Sequence, residues 1–126
     1  MQGGGSLPDE GRRVARNSPL KLRGTRDVQR ILRWGSAARS KRVVVYLARG
    51  SGPPRAAWVA GRKVGGAVAR NRARRLLREA WRELFPRVGE GWQAVLVARE
   101  AISGAHAQEI VEEVGELLRR AGVLSA

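Results

Sequence analysis

Arginine is the residue type whose number and spacing point most clearly to a chemistry in this sequence. Residues 62–82 hold eight basic residues and a single acid, Glu79. A guanidinium group binds phosphate through a planar pair of N–H donors and also stacks on bases. The chemistry that this segment predicts is therefore binding of a polyanion rather than bond cleavage. Its basic residues are Arg62, Lys63, Arg70, Arg72, Arg74, Arg75, Arg78 and Arg82.

The residue types that usually carry catalysis are scarce. The 126 residues include no cysteine and one histidine, His106. No Ser/His/Asp set, paired carboxylates or metal-ligand spacing is evident, so the sequence predicts neither a catalytic residue nor a metal ligand. Without a partner at a useful spacing, His106 is expected to be a surface residue in the first turn of the last helix.

The charge of the whole chain points the same way as the Arg-rich segment. The 25 basic and 11 acidic residues give a net charge of +14 and a pI near 11.8, which indicates nucleic-acid binding. No apolar run approaches the ~20 residues that span a bilayer, and the first thirty residues have no apolar core of a signal peptide. We therefore expect a cytoplasmic protein that does not bind a membrane.

The Arg-rich segment is predicted to form a helix from Ala67 to Phe85, stopped by Pro86. On a helical wheel an apolar arc packs on the sheet, and the opposite side carries guanidinium groups. A solvated face would interleave Glu with the cations, but only Glu79 and Glu83 are acidic here. The apolar arc is Ala69, Ala73, Leu76, Leu77, Ala80 and Leu84; opposite lie Asn71, Arg74, Arg75, Arg78 and Arg82, with Arg70 and Arg72 at the borders.

Two interpretations fit the turn before this helix, Lys63 to Gly66. Backbone amides at a helix N-terminus favour anions, so the turn is a candidate phosphate site. Alternatively, it is a bend between a strand and the helix in which glycine supplies a positive φ. The sequence favours neither.

The remaining segments suggest an order of helix, strand, strand, helix, strand and helix in an α+β sandwich, with helices covering one sheet. Residues 1–19 are predicted to be a disordered, basic extension and residues 20–126 the folded domain. Thr25 is a candidate cap for a helix that ends at Gly35. The strands are expected at residues 43–47 and 56–60, paired as a hairpin, and at 92–98, buried on both faces. Ser103 is a candidate cap for the last helix, whose stripe is Ile110, Val111, Val114, Leu117, Leu118 and Ala121.

Aromatic residues allow more than one role. Trp58 and Trp92 are expected to belong mainly to the core. Tyr46 fits either the core or a base-stacking position, because side chains alternate between the two faces along its strand. Trp34 and Trp81 lie near helix ends and fit either role.

The Arg-rich segment resembles the signature of the bacterial ribonuclease P protein family. The match runs from Lys63 to Glu79, centres on Arg70-Asn71-Arg72 and is about seventeen positions long. The spacing of Leu22, Val28, Ile31, Leu32 and Gly35 and the positions of two strands, VVVYLA and AVLVARE, also agree. The resemblance extends from about residue 20 to the end of the chain.

This resemblance implies a fold and a division of labour. The fold would be a single-domain α-β sandwich with a left-handed βαβ crossover around the Arg-rich helix, similar to the second domain of ribosomal protein S5. That helix and the preceding turn would face the catalytic RNA of ribonuclease P. A cleft lined by Val28, Leu32 and Tyr46 would receive the 5′ leader of precursor tRNA. The RNA would carry out the hydrolysis with Mg²⁺ bound mainly through the RNA, and no obligate protein partner is implied.

The sequence departs from the family pattern in the leader cleft. The family commonly has Phe at the position of Val28 and often at that of Leu32, so base stacking on the leader is expected to be weaker here. Gly61 and Gly66 stand where Ser and Asn are usual, and each loss would remove a polar contact to RNA or metal. Two other classes remain as alternatives: a structural RNA-binding protein, such as a ribosomal component, and a DNA-binding module with the Arg-rich helix in the major groove.

Overall fold

The computed structural model describes residues 20–22 and 24–124, and the predicted N-terminal extension, residues 1–19, lies outside them. None of the helices in the described part is long and apolar enough to cross a membrane. In chain order the elements are β1 (Leu20–Lys21), α1 (Gly24–Trp34), β2 (Ser36–Arg39), β3 (Val43–Arg49), β4 (Arg55–Ala60), α2 (Ala67–Leu84), β5 (Trp92–Ala98) and α3 (Ala107–Arg120).

The five strands form one mixed sheet in the order β1-β4-β5-β3-β2. β5 is central, antiparallel to β3 and parallel to β4. Because β4 and β5 are neighbouring parallel strands joined through α2, the Arg-rich helix is the crossover of a βαβ unit. The predicted hairpin between residues 43–47 and 56–60 is wrong, since β5 inserts between those two strands.

Helices cover both faces of the sheet, and the alternation of side chains along β5 shows how. Ala94 and Leu96 belong to the larger core cluster, which α2 and α3 complete. Val95 points the other way and forms a smaller cluster with Leu22 and Ile31, the latter from α1. Burial on both faces explains why β5 reads as a nearly continuous apolar run. The predicted α-β sandwich is therefore confirmed.

α2 follows its predicted apolar arc closely. Its buried residues are Ala73, Leu76, Leu77, Ala80, Trp81 and Leu84, and Ala69 is half-buried. Trp81, whose role the sequence left open, has no exposed surface and is a core residue. The helix ends at Leu84 and passes into a 3-10 turn, Phe85–Arg87, as Pro86 predicts. The opposite side of α2 is thus free to carry its guanidinium groups.

The start of α3 differs from the prediction. The helix begins at Ala107 with His106 at the N-cap, and Ser103 lies in the preceding turn. The backbone N–H of His106 donates to Glu109 Oε1 at 2.8 Å, one half of a capping box. The predicted stripe packs on the larger core through Ile110, Val114, Leu117 and Leu118, whereas Ala121 lies past the helix and is exposed.

We expect this cap to make stability depend on pH. The hydrogen bond from the His106 backbone lowers the pKa of Glu109 below its usual value of 4.5, and Arg42 acts in the same direction. Because the pKa is lower in the folded protein, the ionised carboxylate stabilises the fold above that usual value, and this contribution is lost as the pH falls through the lowered pKa. The measurement is urea unfolding of the wild type and of Glu109→Ala across the acidic range. Their difference in unfolding free energy should shrink as the pH falls; a constant difference would contradict the assignment.

The sequence analysis missed two elements, β1 and β2, because they are only two and four residues long. β1 pairs with β4 only at Arg55 and Ala56, and β2 pairs with the outer edge of β3. The turn between α1 and β2 needs the predicted Gly35, since an added Cβ would lie 2.6 Å from the Ile31 carbonyl oxygen and 2.7 Å from that of Leu47. Thr25 lies inside the first turn of α1 rather than at its cap.

Candidate RNA-binding interface

One side of α2 forms a cationic surface, which we call the basic face: Asn71, Arg74, Arg75, Arg78 and Arg82. All are exposed except Arg74, which is half-buried. The face exists because the apolar arc on the other side of the helix packs against the sheet and α3. The side chains predicted to lie opposite the apolar arc do so.

Few acidic groups neutralise the basic face. Glu79 lies 3.6 Å from Arg78 and 3.8 Å from Arg82, in pairs whose side chains are about half exposed. Exposed pairs of this kind contribute little and exchange readily for other anions. Arg74 donates to the side-chain oxygen of Asn71, which orients that guanidinium along the face. Within the described residues Arg75 has no acidic partner, so it is available to an external phosphate.

The two border arginines of the signature are placed differently from the basic face. Arg72 Nη2 donates to the Ala105 carbonyl oxygen at 2.7 Å, and Arg72 lines a small pocket with Ile102 and Gly104 near the start of α3. Arg70 is half-buried on the other border of the helix. One guanidinium of the signature is therefore anchored to the protein, although Arg72 itself remains exposed.

The turn before α2 has the geometry of a bend. Gly65 has φ of +142°, a conformation that side-chain-bearing residues rarely adopt, and an added Cβ there would lie 2.9 Å from Ala69 Cβ. The interpretation that glycine is needed for this bend is confirmed, and the phosphate-site interpretation stays a prediction. Arg62 and Lys63 lie in a 3-10 turn just before it and are exposed.

A groove of about 590 Å³ separates the basic face from the N-terminal half of α1, and we call it the edge groove. It follows β4 at the side of the sheet where β1 pairs only with Arg55 and Ala56. Within the described part of the chain, its lining includes four cationic side chains and no acid. The residues that line it are Lys21, Leu22, Gly24, Thr25, Val28, Ala57, Trp58, Val59, Asn71, Arg74, Arg75 and Arg78.

The three residues predicted for the leader cleft lie on the α1 side of the sheet but are not equivalent. Val28 and Tyr46 are half-buried and pack on the smaller core cluster around Ile31. Leu32 is 36% exposed on the surface of α1. Val28 also lines the edge groove, so that groove and the α1 side of the sheet share a wall.

Sequence reasoning missed two members of the edge groove, Lys21 and Trp58. Trp58 is half-buried against the larger core, as expected, but it also lines the groove, and Lys21 Nζ lies 5.9 Å from the centroid of its ring. Only the pairing of β1 with β4 brings Lys21 there, and no local signal predicted that pairing. Trp92 packs on the core beneath Arg49, and Trp34 is 78% exposed.

The described residues do not fit a magnesium site built from protein side chains. They contain no group of three or more His, Cys, Asp or Glu residues close enough to hold an ion. Mg²⁺ prefers oxygen ligands at octahedral geometry, whereas the surface around the signature is cationic.

Comparison with known proteins agrees with the signature. A sequence model of the Ribonuclease P family matches residues 17–122. The ribonuclease P protein component of Symbiobacterium thermophilum is 39% identical over 106 residues, covering 82% of this chain and 92% of the relative. That of Pelotomaculum thermopropionicum is 38% identical over 106 residues, covering 81% and 92%. The structure of the RNase P protein from Thermotoga maritima superposes with a TM-score of 0.71 at 27% identity, covering 79% of this chain and 96% of that one.

Proposed function

The chain belongs to the ribonuclease P protein family, and from this premise we propose how its surfaces divide the work of the endoribonuclease. The basic face of α2 docks on the catalytic RNA subunit. The α1 side of the sheet holds the 5′ leader of precursor tRNA, so that the leader is removed to give the mature 5′ end. The protein positions the RNA molecules, and the RNA subunit carries the hydrolytic chemistry.

The observation that carries this proposal is the exposed basic face within the family signature. Arg75 has no acidic partner in the described part of the chain, and Arg78 shares a single glutamate with Arg82. An unneutralised cationic surface on a protein of charge +14 attracts a polyanion strongly. Guanidinium groups that bind phosphate in pairs of hydrogen bonds suit the backbone of a folded RNA.

We propose that Mg²⁺ is held by phosphate oxygens of the RNA molecules rather than by this chain. A cationic surface beside the RNA reduces repulsion between its phosphates, so fewer magnesium ions are needed to fold and align it. A cytoplasmic location, where precursor tRNA is processed, is part of the same proposal.

A competition experiment tests the choice of RNA partner. The labelled complex of this chain with a bacterial ribonuclease P RNA is challenged with unlabelled ribonuclease P RNA, ribosomal RNA or duplex DNA. The proposal expects ribonuclease P RNA to displace the label at the lowest concentration. Equal or better displacement by ribosomal RNA would favour a structural RNA-binding role, and displacement by duplex DNA would favour a DNA-binding module.

Restoring an aromatic ring to the leader cleft should strengthen recognition of the leader. Leu32→Phe replaces an exposed side chain, so the larger ring needs no room in the core. One base–aromatic stack contributes about 1–3 kcal/mol, so the affinity of the reconstituted holoenzyme for precursor tRNA should rise at least about fivefold. The measurement is equilibrium binding of precursor tRNA in a calcium buffer that slows cleavage.

Two controls isolate the leader in that experiment. Mature tRNA lacks the leader, so its affinity should be unchanged by Leu32→Phe. Val68→Phe adds the same ring at another exposed position, 84% exposed on α2, and should leave leader binding unchanged. If Leu32→Phe improves the binding of mature tRNA equally, the proposed leader cleft is misplaced.

A further inference from the structure

The edge groove combines two chemistries that the docking proposal does not use together, an aromatic ring and a set of cations. Trp58 lines it from β4, and Arg74, Arg75 and Arg78 line it from α2. We propose that this groove is a nucleotide site in which Trp58 stacks on one unpaired base of the catalytic RNA while the arginines hold the flanking phosphates. The inference rests on the proposed docking of α2 and adds the residue that selects an unpaired nucleotide.

The position of Trp58 leaves its ring available to a ligand. Trp58 shares a strand face with the buried residues Ala56 and Ala60, so its ring points to the α2 side of the sheet. Unlike those two neighbours it is only half-buried. The exposed Lys21 places its Nζ over the ring, 5.9 Å from the centroid, so a base that stacks on this face would displace a solvated cation.

The edge of the sheet explains why a groove exists at this place. β1 covers β4 only at Arg55 and Ala56, and past that point no further strand of the described chain lies outside β4. In this region the groove is lined by Ala57 and Val59, whose side chains are short. The described residues therefore leave a channel between α1 and α2, with β4 as its floor and the basic face as its polar wall.

Charge decides the class of ligand. Among the described residues the lining has three arginines and one lysine and no carboxylate, which favours an anionic occupant. Cations that track a backbone beside an aromatic platform are the usual arrangement for single-stranded nucleic acid. A volume of about 590 Å³ lies within the ~300–1,000 Å³ typical of small-ligand sites, so the groove is large enough for a nucleotide.

The same lining favours the catalytic RNA over the leader as the source of that nucleotide. Asn71, Arg74, Arg75 and Arg78 all belong to the basic face, which we assign to the catalytic RNA. The leader cleft contributes one residue, Val28. An RNA strand docked along α2 would therefore reach Trp58 without leaving the surface that holds it.

The test measures the affinity of Trp58→Leu and Trp58→Phe for a bacterial ribonuclease P RNA in the absence of precursor tRNA. Loss of one base–aromatic stack should weaken binding of Trp58→Leu by about 5- to 150-fold. Trp58→Phe keeps an aromatic face and should stay close to the wild type. Trp92→Leu is the matched control, because Trp92 is also half-buried on this face of the sheet but does not line the groove. The guanidinium carbon of Arg49 lies 4.4 Å from the centroid of the Trp92 ring.

A second measurement does not depend on the fold of the leucine variant. Saturating ribonuclease P RNA should quench the tryptophan fluorescence of the wild type, and Trp58→Phe should lose part of that quenching while binding normally. Unchanged affinity of a folded Trp58→Leu, or unchanged quenching in Trp58→Phe, would overturn the inference. If Trp58→Leu weakens only the binding of precursor tRNA by the holoenzyme, the site takes the leader and its assignment to the catalytic RNA is wrong.

These outcomes are separable from failure of the proposed function. Replacing Arg70, Arg72 and Arg75 tests docking without touching Trp58, and only Arg75 of the three lines the edge groove. If the arginine replacements weaken binding and Trp58→Leu does not, only the nucleotide site is lost. If neither weakens binding, the docking proposal fails together with the inference.

Discussion

Replacing Arg70, Arg72 and Arg75 together by alanine should weaken binding of a bacterial ribonuclease P RNA by at least about a hundredfold at low salt, because each charge-assisted hydrogen bond is worth roughly 1.5–3 kcal/mol. The replacement should also flatten the salt dependence. About five phosphate contacts give a slope of log affinity against log salt near −3.5 to −4.5, and each contact removed takes away about 0.7–0.9. The measurement is filter binding over a series of salt concentrations.

The control for this experiment removes three charges elsewhere. Arg39, exposed on β2, and Arg119 and Arg120, near the end of α3, lie outside α2 and outside the family signature. Their combined replacement by alanine lowers the net charge equally and should change the slope much less. A slope that is the same in the test variant and the wild type would show that α2 is not the docking surface. Equal losses in the test and control variants would show that only net charge matters.

Replacing Trp81 by alanine should destabilise the protein by about 3–5 kcal/mol, the usual cost of removing a large, fully buried aromatic side chain. Trp81 has no exposed surface and belongs to the core cluster that seats α2 on the sheet. A loss of that size is a large part of the stability of a typical domain, so the basic face should lose its orientation as well. The measurement is urea unfolding followed by circular dichroism.

Trp81→Phe separates packing from hydrogen bonding in this position. The indole Nε1 of Trp81 is buried with no hydrogen-bond partner among the described residues, so its removal leaves no acceptor unpaired. The phenylalanine variant should therefore lose much less stability than the alanine variant and should keep wild-type affinity for RNA. A loss in Trp81→Phe as large as that in Trp81→Ala would mean that the indole N–H contributes to stability.

The helices were predictable because their signals are local. The buried side of α2 follows from the 3.6-residue period of Ala73, Leu77 and Leu84. The helical period did not predict whether Trp81 is buried. This residue lies at the margin of the apolar arc, where burial depends on how closely neighbouring elements approach. The N-cap of α3 was misplaced because Ser103 ends the 3-10 turn from Glu100 to Ile102, and Gly104, with a φ of +82°, separates it from the helix.

Strand pairing was not predictable from local signals. The loop after Gly50 looked like a hairpin turn, yet β5, far along the chain, takes the central place between β3 and β4. Central strands are the most apolar, and the Trp92–Ala98 run fits that position better than the alternating β4. The family resemblance predicted the βαβ crossover, which hydrophobic periodicity alone did not predict.

The same contrast between local and non-local signals applies to the candidate site. The basic face is local to one helix, so its members were named from the sequence and lie where they were expected. The edge groove is not local, because β1, α1, β4 and α2 each contribute to it. Lys21 and Trp58 meet only through the parallel pairing of Lys21 with Ala56, which involves two short segments separated by an entire helix and two strands.

The most direct test of the central claim is reconstituted cleavage of precursor tRNA. A bacterial ribonuclease P RNA is assayed alone, with this chain, and with the Arg70, Arg72 and Arg75 alanine variant, at a magnesium concentration too low for the RNA to act efficiently by itself. We predict that the wild-type chain stimulates release of the 5′ leader, that the variant stimulates much less, and that the chain without RNA cleaves nothing. Absence of stimulation by the wild-type chain would contradict the central claim.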